Sequence, residues 1–313
     1  MHRRVPRTLA AVTLAFGLSA CDEDSTLVGP SAANAPSPGG PRYGVSVAGA
    51  APYAYSCGLS LAPDQAAANT RIRDDYETWR SRRVWSQGAQ AAPGGLRVTV
   101  GPSFMFDIGN GNPQPAPYAT ISEGQGYGML LAAYMGDKAT FDGLWRYAKA
   151  YHNTHGVMKW AVDQYGTALD SNAASDGDED MAFALLVADK RWGGYWNDLN
   201  ALVGNMKTYF VDPTTYVFKS GDWSGSSPLR VHPGYLAPAY YKGFASYLGD
   251  PFWTSVANKS YEILANIDAR SAANGSSNAA TGLVPDRAMV SGDSSTSGSY
   301  RFSWNAHRAP WRL

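Results

Sequence analysis

Between residues 174 and 192 a run of carboxylates feeds directly into an apolar stretch, and few local structures accommodate that. Asp176, Asp178, Glu179 and Asp180 place four carboxylates in five residues. They repel one another, so the segment needs a compensating setting. A helix N-terminal turn at the surface supplies one, because the helix dipole favours negative charge there. A calcium loop with alternating Asp and Gly is the alternative. The spacing does not match an EF-hand, and apolar Met181 and Ala182 follow at once. Met181, Ala182, Leu185, Leu186 and Ala188 then recur at helical spacing, which predicts a helix over 178–192.

The same periodicity predicts helices over 63–84, 122–135, 139–151, 195–209, 233–248 and 250–268, the last opening favourably with Asp250-Pro251. Ser122-Glu123-Gly124-Gln125 has the form of a capping box. Strand-like pieces at Arg97 to Val100 and Thr215 to Phe218 are too few for a large sheet. An all-α domain of stacked helical hairpins is expected. Periodicity does not distinguish a closed toroid from a solenoid or a bundle, and no exact repeat decides it.

Arg3, Arg4 and Arg7 precede an apolar run from Leu9 to Ala20 that is too short to span a bilayer comfortably. It ends Leu18-Ser19-Ala20-Cys21, similar to a bacterial lipoprotein signal in which Cys21 is lipidated. An ordinary signal peptide is the alternative, and both predict export. Residues 22–51 are rich in Ala, Pro, Gly and Ser and read as a flexible tether; residues 52–313 read as one domain. The chain carries 26 basic and 26 acidic residues, so charge gives no reason to expect nucleic acid or an anionic membrane surface as a partner. The cysteines are Cys21 and Cys57; with Cys21 lipidated, Cys57 has no partner within the chain. No Cys/His cluster has zinc-ligand spacing, and His152 and His155 read as loop or helix-end residues, so no metal or cofactor is expected. Ten Trp and 19 Tyr supply flat apolar faces with polar edges, which suit sugar rings as well as core packing.

The segment Ile121-Ser122-Glu123-Gly124-Gln125-Gly126-Tyr127-Gly128-Met129-Leu130 predicts a helix with three glycines at alternate positions. Each weakens a helix by about 1 kcal/mol relative to Ala. Close packing or ligand approach usually offsets that cost. Glu123 at the helix entrance, taken alone, need do no more than complement the dipole.

Taken together, these segments resemble glycoside hydrolase family 8. Ala174-Ser175-Asp176-Gly177-Asp178, through Met181 and the apolar run to Trp192, fits the family signature at every specified position. Ser122 to Met129 resembles the acid-bearing segment, and Val157-Met158-Lys159-Trp160 a sugar-platform segment. The similarity runs from about Tyr76 to the end of the chain. The resemblance implies an (α/α)6 toroid of six inner and six outer helices and a cofactor-free inverting hydrolysis. The substrate is then a β-1,4-linked polysaccharide. Endo-β-1,4-glucanase is the first choice, with chitosanase and xylanase as alternatives, and a monomer is expected. The resemblance matches Glu123 to the proton donor and Asp176 to an active-site carboxylate that contacts the sugar at the cleavage point. Asp178 and Asp180 are assigned supporting roles. Trp160, Tyr127 and Trp223 are candidate stacking platforms, with core packing as the alternative for each Trp.

The third motif departs from the pattern. Trp304-Asn305-Ala306-His307-Arg308-Ala309-Pro310-Trp311-Arg312 is similar to a segment whose second position, in one branch of the family, is the Asp that serves as base. Here that position is Asn305, which does not accept a proton at neutral pH. Another branch also has Asn there and takes its base from a separate loop; Asp286 and Asp293 are the candidates. Arg308 is expected to hold a carboxylate or a sugar hydroxyl near the site, with a structural ion pair as the alternative. Family members continue beyond this motif by one or two helical hairpins, so a toroid incomplete at the C-terminus, and a fragment, are expected. A non-catalytic glycan-binding lipoprotein with a degenerate site is the second reading; Asn305 favours it, and Glu123 with Asp176 oppose it.

Overall fold

The computed structural model describes residues 64–89, 92–108, 111–225, 230–273, 281–295 and 300–312. The signal segment, the tether, Cys21 and Cys57 lie outside them. The helices are α1 (Gln65–Arg83), α2 (Ser122–Met135), α3 (Lys138–Ala150), α4 (Ser175–Trp192), α5 (Trp196–Tyr209), α6 (Pro238–Leu248), α7 (Phe252–Ala273) and α8 (Ala309–Arg312).

The helices form two rows. α2 packs chiefly on α4, and α4 in turn on α6. α3 covers α2, α5 covers α4 and α7 covers α6, so each inner helix is followed by an outer one. The core lies between the rows. Phe141 and Leu144 of α3, Met181 and Leu185 of α4, Met206 of α5, Tyr241 and Phe244 of α6 and Trp253 of α7 are completely buried within it. Each fully buried side chain of this size contributes roughly 1.5–3 kcal/mol.

Local chemistry explains the helix ends. Asp64 caps α1 by accepting from the Ala67 amide at 2.7 Å. Gly136, at φ 76°, closes α2 in the left-handed conformation that glycine tolerates. Asp137 then caps α3 through the Thr140 amide and accepts from Tyr76 of α1 at 3.0 Å, tying three helices together.

The glycines of α2 and α4 allow close approach. A Cβ on Gly126 would stand 2.7 Å from the Asp180 Cβ and 2.8 Å from the Gly177 carbonyl oxygen. The helix-propensity cost of Gly126 and Gly177 is therefore offset by packing of α2 on α4. The capping box does not form: Ile121 is the N-cap, without a side-chain cap bond. Gln125 is instead fully buried. Its Oε1 accepts from the Val98 amide at 2.9 Å, and its Nε2 donates to the Leu96 and Leu144 carbonyls at 3.0 and 2.9 Å.

Several predicted boundaries move. α4 begins at Ser175 rather than Asp178, so the carboxylates lie inside the helix and are buried instead of decorating a surface turn. Residues 233–248 divide into a 3-10 turn, Pro233–Tyr235, and α6. Thr215 to Phe218 is not a strand; Phe218 makes a single bridge to Val211. The strands described are two-residue pieces in antiparallel pairs, including Thr120–Ile121 with Ala161–Val162.

Candidate active site

The starts of the inner helices meet at one end of the molecule. Glu123 lies in the first turn of α2 and Asp176 in the first turn of α4. Tyr235 ends the 3-10 turn ahead of α6, and Arg308 ends the 3-10 turn Ala306–Arg308 that leads into α8. The pairing of Thr120–Ile121 with Ala161–Val162, together with a 2.9 Å bond from the Ser122 amide to the Trp160 carbonyl, puts Glu123 and Trp160 on one rim. Ser175 anchors the start of α4 by donating from its hydroxyl to the Lys219 carbonyl at 2.7 Å, which draws in the loop that carries Trp223.

Arg308 joins the two carboxylates. Its Nη2 lies 2.5 Å from Glu123 Oε2 and its Nε 3.1 Å from Oε1, a bidentate clamp. Its Nη1 lies 3.1 Å from Asp176 Oδ2. The Tyr127 hydroxyl donates to Glu123 Oε1 at 3.0 Å, and the guanidinium sits 4.9 Å from the Tyr235 ring centroid. The side chains of Arg308 and Asp176 are 3% and 2% exposed, whereas that of Glu123 is 24% exposed. Glu123 is thus the more accessible of the two carboxylates. Burial raises the Asp176 pKa, Arg308 opposes the rise and Glu123 adds to it. Burial works against the Arg308 charge, but Asp176 and Glu123 outweigh it and hold the guanidinium protonated. Asp176 Oδ1 is buried and has no hydrogen-bond partner among the described residues.

Behind this cluster lies a second one. Arg312, completely buried, pairs with Glu179 at 3.1 Å and Asp180 at 2.5 Å and donates to the Asp176 carbonyl at 3.3 Å. Tyr241 donates its hydroxyl to Glu179. Asp178 Oδ1 accepts from the Met158 amide at 3.0 Å, bracing the segment that leads to Trp160. Burial pushes the Asp180 carboxyl up to about 7, with Arg312 opposing. Three of the four carboxylates therefore divide between two arginines, and the fourth, Asp178, rests on a backbone amide. Sequence reasoning left Arg312, Tyr235 and Tyr241 without roles. The available signal was the placement of Arg308 and Arg312 one helical turn apart.

Trp160 is half-buried. Its ring stacks on Phe106 at 4.9 Å, and its Nε1 donates to Asp170 Oδ2 at 2.8 Å, which fixes the ring plane. Trp223 is 51% exposed and passes over Gly221, where a Cβ would stand 2.2 Å from the indole. Tyr127 is placed as a hydrogen-bond donor to Glu123. His155 faces Asp222 at 3.0 Å and stacks on Tyr209, while His152 packs edge-on to Trp145.

Asn305 and Asp286 reach the site together. The Asn305 backbone amide donates to Asp286, and its Nδ2 donates to Asp286 Oδ2 at 3.2 Å. Asn305 Oδ1 accepts from Arg308 Nη1 and from the Tyr235 hydroxyl, each at 3.4 Å. Asp293 is not brought in: it is half-exposed and faces Arg270 at 3.4 Å.

The family model for glycosyl hydrolases family 8 matches residues 47–313. The chain belongs to this family. It is 38% identical over 270 residues to Endoglucanase 2 of Ruminiclostridium josui, covering 83% of this chain and 53% of that protein. It is 36% identical over 263 residues to Endoglucanase A of Acetivibrio thermocellus, covering 81% of this chain and 50% of that protein. The chain thus spans about half the length of the curated relatives it matches. Among solved structures, a β-1,3-1,4-glucanase from Paenibacillus sp. X4 superposes with a TM-score of 0.66 at 24% identity, covering 81% of this chain and 68% of that one. The two rows of helices in this family 8 chain are accordingly inner and outer helices of an (α/α)6 toroid. The site described above lies at the N-terminal ends of its inner row.

Proposed function

We propose that this family 8 chain is an endo-acting, inverting hydrolase of β-1,4-linked polysaccharide, with β-glucan as its first substrate. The observation that carries this reading is the meeting of Glu123 and Asp176 on Arg308. The endoglucanases at 36–38% identity support the substrate class. Glu123 donates its proton to the departing glycosidic oxygen while water attacks the opposite face of the sugar. Arg308 stabilises the charge that builds on Glu123 as the proton leaves, an interaction that strengthens towards the transition state. Asp176 holds Arg308 beside Glu123 and contacts the sugar at the cleavage point. Trp160 and Trp223 stack against neighbouring sugars.

Reducing sugar released from carboxymethylcellulose, lichenan, chitosan and xylan tests the reading. Faster release from the first two supports it. Release from chitosan or xylan alone reassigns the substrate, and no release by a folded chain removes the hydrolase reading. Glu123→Gln is expected to abolish turnover and leave oligosaccharide binding nearly intact; equal hydrolysis by variant and wild type removes Glu123 as the acid.

Export, with Cys21 as a lipid anchor, belongs to the same proposal and rests on the arginines at 3, 4 and 7 and the apolar run to Ala20. Labelled fatty acid should enter the wild type and not Cys21→Ser; equal labelling of both rules out the anchor.

A further inference from the structure

An inverting hydrolysis needs a carboxylate to take a proton from water, and this inference rests on that hydrolase reading. Most carboxylates around the site are already committed. Glu123 and Asp176 pair with Arg308, and Glu179 and Asp180 with Arg312. Asp178 is completely buried against the Met158 amide. Asp222 is buried under donors from Asn153, His155 and Ala173, and Asp293 faces Arg270 away from the cluster.

Asp286 differs from all of these. It is only half-buried, and no cation pairs with it among the described residues. The adjacent Arg287 turns its Nε to His232 at 3.0 Å instead. The Asp286 amide donates to the Arg301 carbonyl at 2.9 Å, fixing its loop against the segment that leads into the third motif. Its carboxylate is held by both N–H groups of Asn305, whose Oδ1 rests on Arg308. Asp286 is therefore one side chain removed from the guanidinium that holds the acid.

We propose that Asp286 is the catalytic base of this chain and that Asn305 is the residue that positions it. An amide at 305 donates to the Asp286 carboxylate, whereas a second carboxylate there would repel it. In the step, Asp286 takes a proton from water and the water oxygen bonds to the anomeric carbon. The bond from that carbon to the glycosidic oxygen breaks, and the departing oxygen receives the proton of Glu123. Asp286 ends protonated and Glu123 ionised, and exchange with solvent resets both.

The test uses the full chain on the glycan that the wild type hydrolyses, with and without sodium azide. Azide attacks without deprotonation, so it bypasses a missing base. Asp286→Ala is expected to lose roughly 10²- to 10⁴-fold in kcat and to regain part of it in azide, with an α-glycosyl azide as product. Asp286→Asn keeps an acceptor for Asn305 and is expected to melt like the wild type while losing the same turnover. Turnover of Asp286→Asn within about tenfold of wild type overturns the assignment, because a general base contributes more than that. Loss in both variants without glycosyl azide also overturns it, leaving Asp286 as a support for Asn305. A wild type inert on every glycan overturns the hydrolase reading and the base with it; an active wild type beside an active Asp286→Asn overturns the base alone.

Discussion

Gly177 lies against Ser122 with no room for a side chain: a Cβ at 177 would stand 2.6 Å from the carbonyl carbon, Cβ and Oγ of Ser122. Ser122 precedes Glu123, and Gly177 follows Asp176. This one contact therefore sets the spacing of Glu123, the proposed acid, and Asp176. Gly177→Ala is expected to push the first turns of α2 and α4 apart, costing about 1–3 kcal/mol in stability. Turnover should fall more steeply than stability, because displaced reacting groups lose rate quickly. Thermal melts and kcat measured together check this; a destabilised variant with wild-type kcat would show that the contact does not set the geometry.

Arg312 is buried with Glu179 and Asp180, so its removal strands two carboxylates in a low-dielectric interior. Arg312→Met is expected to destabilise the chain by about 3–5 kcal/mol at neutral pH. Denaturant unfolding gives the value. A loss under about 1 kcal/mol would mean that the cluster tolerates uncompensated charge, contrary to the cost expected for a broken buried pair.

Asp170 holds the Trp160 indole from its edge while Phe106 covers one face. With Asp170→Ala the ring loses its in-plane restraint. The expected result is a several-fold higher KM for long oligosaccharides with kcat little changed, the signature of lost uniform binding. An unchanged KM would remove Trp160 from the set of sugar platforms.

His152 is held neutral, its pKa pushed down to about 4 chiefly by burial, with Lys149 adding to the shift. The unfolded chain binds a proton at this residue near pH 6.5, and the folded chain does not until about pH 4. Its contribution to stability is therefore complete above pH 6.5 and lost as pH falls towards 4. The loss is about 3 kcal/mol at most. Unfolding free energies measured across that window should fall less steeply in His152→Gln than in the wild type; parallel slopes would refute the assignment.

Much of the helical framework was legible from local pattern. The spacing of apolar residues located every helix from α1 to α7 to within a few residues at most ends, since an amphipathic helix must bury one stripe whatever its neighbours are. The boundary misses share a cause. Ser122-Glu123-Gly124-Gln125 satisfies the local rule for a capping box, yet Gln125 finds better partners in Val98, Leu96 and Leu144, which are distant in sequence. The carboxylates from Asp176 to Asp180 satisfy the rule for a surface turn, yet two arginines at the far end of the chain and, for Asp178, the Met158 amide make their burial tolerable.

The sequence by itself determined the helical class, the family, and Glu123 with Asp176 as the residues to examine, because these follow from periodicity and from motifs contiguous in the chain. Only the tertiary structure decided the rest: that Arg308 joins those two carboxylates, that Arg312 pairs with both Glu179 and Asp180 behind them, and that Asp286 rather than Asp293 stands beside Asn305. The physical reason is common to all three. Ion pairing and hydrogen bonding act over a few ångströms in space: the packing of α2 on α4 and of α8 behind them brings Arg308 and Arg312 to carboxylates more than a hundred residues away, and the fold of the last loop brings Asp286 to Asn305, 19 residues on.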